Sequence, residues 1–392
     1  MSLISEIETE RDWLERVRHD IHAHPELAYE ETRTAGIVRD YLQDWGIEVS
    51  TGLAGTGVVG TLRNGDGPRI GLRADMDALP IHEANDFAWR SQQDGRMHAC
   101  GHDGHTTMLL GAARYLSRNR NFTGTVDFIF QPAEEAAGGA KRMIDEGLFE
   151  QFPVDAVFGM HNWPGLEVGR FAVRTGAMMA SLDCFDIVIE GKGTHGALPH
   201  KGVDPVLVAS HVITALQSIV SRNVNPLEVG VVSVTKIHAG DAYNIIPGRV
   251  ELGGGVRSFD PQVRSFLLER VEQIVDSVAR GFDAMARVQW AIRFPPVMNE
   301  SEHTQIAAAA AASVAGEDQV DTNSAPSLGS EDFAYMLEER PGCYLFIGNG
   351  SGKGGCVIHN PAYDFNDDIL TLGASYWVRL TEQFLAQTRS RS

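Results

Sequence analysis

Between residues 97 and 105 the sequence reads Met-His-Ala-Cys-Gly-His-Asp-Gly-His, nine residues that offer three imidazoles, one thiol and one carboxylate. Its two glycines let the backbone turn tightly where these groups meet. Cys100 and His102, two residues apart, are a thiolate and an imidazole, a pairing suited to a metal ion. The nearest other cysteine is Cys184, so neither a zinc-finger nor a paired-thiol redox spacing accounts for Cys100. Taken alone, the stretch also fits a loop with surface histidines and a buried thiol, because free cysteine is often just a small hydrophobe.

Ligand-type residues recur at three other junctions. The run from Arg69 is apolar and then ends in Asp75 and Asp77. Acids at the carboxyl end of a strand are what the active edge of an open α/β sheet presents. A second strand, Gly124 to Phe130, stops at Gln131-Pro132, and Glu134-Glu135 follow in a predicted helix opening at Ala133. Adjacent glutamates on a helix diverge by roughly 100°. One can then hold a metal while the other handles a proton. A third strand, Ala156 to Met160, ends in His161. Four junctions of this kind argue for one shared site. His22 and His24, beside Glu26, fit either a metal pair or a capping cluster at a helix end stopped by Pro25.

The elements that must position these groups fall into three stretches. Up to about residue 180 the chain reads as helix and short strands: a helix from Ser5 to Ala23, strands at 57–62 and 69–77, a helix from Thr106 to Leu116, and the strands just named. His102 and His105 precede that last helix and are close enough to share a face. From residue 181 to 296 the pattern changes. Strands alternate at 183–190, 227–237, 249–257 and 286–294, and helices fill 204–220 and 261–279. Two helices over an alternating four-stranded sheet make an α+β domain, with an antiparallel sheet expected. Residues 297–392 return to the first character, with a polar turn at Gly329–Phe333, a strand at Tyr344–Gly348, and a helix capped by Phe365–Asp368. The expected organisation is therefore one domain made of 1–180 and 297–392, interrupted by an α+β domain at 181–296.

Composition narrows the function. At 392 residues the chain exceeds one comfortable core. A formal net charge of −19 excludes nucleic acid and anionic membrane as partners. Any anionic substrate then needs a local arginine or a metal to receive it. Four cysteines are too few for a disulfide framework, which points to a reduced, cytoplasmic compartment. The charged first residues lack the apolar core of a secretory signal, and no uncharged apolar run reaches membrane-spanning length.

The motifs His22-Ala-His24-Pro-Glu26, Arg73-Ala-Asp75-Met-Asp77-Ala-Leu-Pro80, His98 to His105 and Gln131-Pro-Ala-Glu134-Glu135 stand in this order along the chain. Gly159-Met-His161, His195-Gly-Ala-Leu-Pro-His200, Asn244-Ile-Ile-Pro247, Gly329-Ser-Glu-Asp-Phe333 and His359-Asn-Pro361 complete the series. Together they resemble the M20 metallopeptidase family, specifically its amidohydrolase branch of hippurate hydrolases and auxin-conjugate hydrolases. The likeness runs through nearly the whole chain. It implies an α/β fold: a mixed-sheet dinuclear metallohydrolase domain with an inserted α+β lid that usually dimerises.

By the same resemblance Cys100, His102, Glu135, His161 and His359 are the ligands of two divalent ions, with zinc, manganese, nickel and cobalt all compatible. Glu134 is the expected general base, and Asp77 the acid that orients the site. His195, Asn244 and Arg257 are expected to bind substrate, His195 also donating to the developing oxyanion across a dimer interface. Asp75 stands where other branches carry a metal-binding histidine and is not expected to be a ligand. His22, His24, His98, His105 and His200 are assigned supporting or packing roles. Two departures from the family pattern are Arg18-His19, where two arginines are usual, and Thr194, where a glycine is usual. The expected reaction is hydrolysis of the amide bond of an N-acyl amino acid by a homodimer. A dipeptidase, a carboxypeptidase, an N-acetyl-diaminopimelate deacetylase and a silent binding protein are the rivals.

Overall fold

The computed structural model describes residues 4–135, 138–351 and 357–389, and the chain divides into two compact units. The first takes in the chain up to Met178, Met298–Ala325, and Asp332 onward; the second is Met179–Val297 with Pro326–Glu331. No helix among the described residues is long and apolar enough to cross a membrane.

The first unit is built on an eight-stranded mixed sheet. Its order is Glu48–Leu53, Gly57–Asn64, Gly124–Gln131, Arg69–Asp75, Ala156–Pro164, Gly342–Gly350, Phe171–Ala172 and Val320–Asp321. The four strands Gly124–Gln131, Arg69–Asp75, Ala156–Pro164 and Gly342–Gly350 are neighbours and run parallel. Arg69–Asp75 and Gly342–Gly350 are buried almost throughout, as strands covered on both faces must be. Parallel strands send their carboxyl ends to one edge of the sheet. The segments carrying Asp77, Glu134, His161 and His359 all leave from, or lie near, that edge.

The helix His102–Asn119 packs behind it through Met108, Leu109, Leu110, Ala112, Ala113 and Leu116, all fully buried. It begins four residues earlier than its apolar run predicts, so His102 and His105 lie inside its first turn. Two other expectations change. The N-terminal helix is two pieces, Ser5–Glu8 and Arg11–Ala23, because the Thr9 hydroxyl donates to the Glu6 carbonyl at 2.7 Å and closes the first. No helix opens at Ala133: its φ of 56° is left-handed, Glu135 lies in a turn, and the next helix starts at Gly139. Ala136 and Ala137 lie outside the described residues.

The second unit is a four-stranded antiparallel sheet in the order Gly230–Ala239, Arg249–Ser258, Leu182–Glu190, Met285–Phe294. Helices Pro205–Ser218 and Pro261–Gly281 cover one face around Phe185, Ile187, Val212, Leu216, Leu252, Leu267 and Val271. Each helix starts the same way, an Asp carboxylate capping backbone N–H groups and a proline in the first turn. Asp204 accepts from Val206 and Leu207, and Asp260 from Gln262 and Val263.

Candidate metal centre

The first unit brings Cys100, His102, Glu135, His161 and His359 together. The Cys100 Sγ lies 3.3 Å from His161 Nε2, and His359 Nε2 lies 3.1 Å from Glu135 Oε1. His102 Nε2 is 3.9 Å from the same Glu135 oxygen. Three overlapping groups have their ligand atoms within 4.8 Å of one another: Cys100, His102 and His161; Cys100, Glu135 and His359; and His102, Glu134 and Glu135. Cys100, His102 and Glu135 each belong to two of these groups, so the three groups form one continuous cluster.

Local structure explains how the ligands meet. Gly101 has a φ of 95°, and a Cβ there would lie 2.4 Å from the Asn162 Oδ1 and 2.7 Å from the Tyr363 hydroxyl. Only glycine lets the chain turn from Cys100 into the helix that carries His102. The Asn162 amide donates to the Cys100 carbonyl at 3.0 Å and to the Tyr363 hydroxyl at 2.7 Å, so the thiol's turn is tied to the strand carrying His161. The His359 backbone N–H donates to the Ala99 carbonyl at 2.7 Å. Asp77 supports two of the candidate ligands at once. One carboxylate oxygen faces His102 Nδ1 at 3.2 Å, and the other accepts the Glu135 backbone N–H at 2.9 Å. The first bond leaves His102 Nε2 as the ligand atom.

Asp75 is engaged otherwise. It accepts from His105 Nδ1 at 2.6 Å and from the buried Arg73 guanidinium at 2.7 Å. Arg73 in turn reaches Gln131 and Asp332. His105 Nε2 accepts the Asn162 N–H at 3.0 Å, so His105 braces the His161 strand. His22 lies between Asp103 and Glu83, at 2.8 and 3.1 Å, and is absorbed by that buried network with Arg18. His24 Nδ1 lies 2.8 Å from the Asp20 carbonyl at its own helix end. His98 is buried, and burial pushes its pKa down to about 3.

The electrostatics call for cations. Burial pushes the Cys100 thiol well above its usual range, and the Glu135, Glu134 and Asp75 charges add to that. Burial works against a charge on His102, but Asp75, then Asp77, outweigh it and hold its pKa at about 10. His161 is pushed well below its usual value by burial and then by the charge of His105. Buried His102 Nε2 and Glu135 Oε1 have no hydrogen-bond partner among the described residues. Unsatisfied buried atoms of this kind are costly unless an ion takes them. The sulfur, nitrogen and carboxylate donors fit divalent transition metals.

A pH dependence follows. Metal binding must displace a proton from the Cys100 thiol and one from His102, because both pKa values are raised; His161 is already neutral. Binding then releases about two protons near neutral pH, and apparent affinity rises as pH rises. Titrating metal into weakly buffered protein with a pH indicator should detect the release. Affinity that is flat between pH 6 and 8 contradicts this ligand set.

The second unit holds the other expected residues. His195 pairs with Ile245 across a short antiparallel ladder, and the Gly196 N–H donates to the Asn244 carbonyl at 2.8 Å, so His195 and Asn244 are neighbours. The His195 Nδ1 accepts the Ala197 N–H at 3.1 Å, which puts the proton of the neutral ring on Nε2. Arg257 donates to the Leu328 carbonyl at 2.6 Å and forms no ion pair among the described residues. Asn162 and Tyr363 carry no signal of a site role in spacing or composition, whereas Arg73 and Asp332 stand inside motifs that carry the family resemblance.

Comparison with known proteins adds relatives that cover the chain nearly end to end. Residues 71–383 match the model of peptidase family M20/M25/M40. A hippurate hydrolase of Campylobacter jejuni is 42% identical over 98% of this chain and 100% of its own length. An N-acetylcysteine deacetylase of Bacillus subtilis is 40% identical over 93% of this chain and 94% of its own. Among solved structures, the Bacillus subtilis YXEP protein, a dinuclear metal-binding peptidase of the M20 family, superposes with a TM-score of 0.84 at 36% identity. That match covers 97% of this chain and 99% of that one.

Proposed function

The chain belongs to peptidase family M20/M25/M40, and from that premise we propose that it is a metal-dependent amidohydrolase that cleaves the amide bond of N-acyl amino acids. The observation that carries the reading is the convergence of Cys100, His102, Glu135, His161 and His359, with Glu134 beside them. The hippurate hydrolase and N-acetylcysteine deacetylase relatives support the substrate class. Zinc, manganese, nickel and cobalt all suit this mixed donor set.

Two divalent ions held by these five residues would supply acidified water, lowering its pKa from about 15.7 toward about 7. The chain's own groups do the rest. Glu134 takes the proton from the attacking water and passes it to the leaving amine. Asp77 keeps His102 oriented and Glu135 in place. His195, with its proton on Nε2, donates to the oxygen where negative charge develops. A donor there contributes about 2.7–4 kcal/mol to the transition state. Asn244, next to His195, is assigned to the scissile group.

The substrate carboxylate is assigned to Arg257, whose planar fork suits a carboxylate better than an ammonium does. Its lack of an acid partner among the described residues supports this in a chain with a net charge of −19. A homodimer formed through the second unit completes the proposal. Val206, Leu207, Ile237 and Ile245 are exposed on it, and the edge strand Gly230–Ala239 has one unpaired side. Four cysteines in 392 residues, too few for a disulfide framework, support a cytoplasmic setting.

The test uses N-acyl amino acids, their carboxamide counterparts, and dipeptides with a free amine. The N-acyl amino acids should be turned over best. Arg257→Ala should raise KM for them by about 10-fold or more, the cost of a lost charge-assisted hydrogen bond. It should change KM for the carboxamides little. A faster rate on free-amine dipeptides makes the protein a dipeptidase, and equal effects of Arg257→Ala on acid and amide place the carboxylate elsewhere.

A further inference from the structure

The carboxylate of Glu31 lies outside every motif that carries the metal chemistry, yet it is fully buried behind the loop that presents Glu134. It caps no helix N–H of the helix Thr32–Asp44 that it precedes. Its Oε1 instead accepts two backbone N–H groups, from Tyr29 at 3.0 Å and from Ala133 at 2.9 Å. Its Oε2 accepts the Thr56 hydroxyl at 2.6 Å. Tyr29 and Ala133 share a feature: both are non-glycine residues in the left-handed region, with φ of 65° and 56°. Side-chain-bearing residues rarely adopt that conformation unless their surroundings impose it.

Ala133 immediately precedes Glu134. On the far side of Glu134, the Glu135 N–H is held by Asp77 at 2.9 Å. The peptide on each side of Glu134 is therefore anchored by a buried carboxylate. The Asp77 anchor belongs to the metal centre. The Glu31 anchor reaches it from a different part of the chain, 102 residues away in sequence. A tight return reinforces it: the Gly139 N–H donates to the Ala133 carbonyl at 3.0 Å.

We propose that Glu31 is a positioning residue for Glu134, its buried carboxylate holding the Ala133 peptide in the left-handed turn that aims Glu134 at the metal centre. The inference rests on Glu134 acting as the proton acceptor. With the Glu31 carboxylate neutralised, Ala133 relaxes toward ordinary backbone and Glu134 swings from its place. The metal ligands and the substrate-binding residues stay where they are. The effect belongs to turnover and not to binding.

Glu31→Gln is isosteric, but a neutral amide oxygen is a weaker acceptor than a carboxylate for the Tyr29 and Ala133 N–H groups, and its N–H₂ is satisfied only if the Thr56 hydroxyl turns round to accept. The expected result is a fall in kcat of up to about 100-fold, the cost of a misplaced catalytic group. KM should stay within threefold, and metal content should not change. Ala133→Gly supplies the rescue, because glycine takes a positive φ without an external anchor. The double variant Glu31→Gln/Ala133→Gly should recover at least threefold in kcat over Glu31→Gln. A carboxylate needed only for general stability gives no such recovery. Should Glu31→Gln not fold, Thr56→Val removes only the hydroxyl that orients the carboxylate, and should lower kcat several-fold at constant KM.

Glu134→Gln serves as the control. Full activity in Glu134→Gln overturns both the base assignment and this inference. Loss in Glu134→Gln, with kcat for Glu31→Gln (or Thr56→Val in its place) within twofold of the parent, overturns this inference alone. So does a double variant no faster than Glu31→Gln.

Discussion

Glu134→Gln should lower kcat by about 10²–10⁴-fold while metal content and KM stay close to those of the parent. The side chain keeps its size and its place beside His102 and Glu135, with ligand atoms within 4.8 Å. What it loses is the ability to accept a proton at working pH. Glu135 is the proposed ligand, since its Oε1 lies 3.1 Å from His359 Nε2 and has no hydrogen-bond partner among the described residues. The neighbouring pair thus divides the labour, and the two substitutions should fail differently. Glu134→Gln should leave a metal-loaded, slow enzyme. The check is single-turnover kinetics alongside metal analysis, and activity within threefold of the parent rejects the assignment.

Asp77→Asn should fail the other way. Asp77 is buried and spends both oxygens on the centre, one on His102 Nδ1 and one on the Glu135 N–H. Asparagine has one acceptor atom, so its amide must turn an N–H toward one of these donors. His102 then loses the bond that sets its tautomer, or Glu135 loses its anchor. Supporting groups of this kind are worth about 10–100-fold in metal affinity. The expected variant is weakly metallated as purified and regains much of its rate when excess metal is supplied. A variant with unchanged metal affinity and a lasting loss of rate would move Asp77 from positioning ligands to the chemistry itself.

These two residues also illustrate what the chain discloses and what it withholds. Asp77, Cys100, His102, Glu134, Glu135 and His161 were legible because parallel strands end together, so ligand-type residues at successive strand ends point to one edge of the sheet. The loop that carries Glu134 and Glu135 was not: the sequence predicts a helix opening at Ala133, and none opens there. Ala-Glu-Glu-Ala-Ala has strong helix propensity, but the left-handed Ala133, held by Glu31, overrides it. Glu31 lies far along the chain from the loop that it restrains, and no local period reports such a contact. The helix Thr32–Asp44 left a fainter trace, Ala35, Val38 and Leu42 at helical spacing. His359 offered less again. It sits at φ 66° in a loop, with its side chain about half exposed, and only the motif order of the family singles it out.

The elements of the second unit were legible for a different reason. Asp204-Pro205 and Asp260-Pro261 are cap-plus-proline starts, and alternating strands flank them, so local signals and tertiary packing agree. Arg18 and His22 show the opposite case. The sequence left His22 open between metal binding and capping. Folding settles it in a buried network, where burial opposes its charge and Asp103 more than restores it, raising its pKa to about 9. Glu83, 3.1 Å from its other nitrogen, closes that network from a loop with no motif of its own.

The most direct test of the metal-dependent amidohydrolase is to count bound divalent ions per chain and measure turnover of an N-acyl amino acid on the same sample. The counts and rates would be taken before chelation, after it, and after metal is restored. The account predicts about two ions per chain in the active protein. It predicts loss of both ions and activity on chelation, and recovery of both when zinc, manganese, nickel or cobalt is returned. Fewer than one ion per chain, with no activity restored by any of these metals, would contradict it.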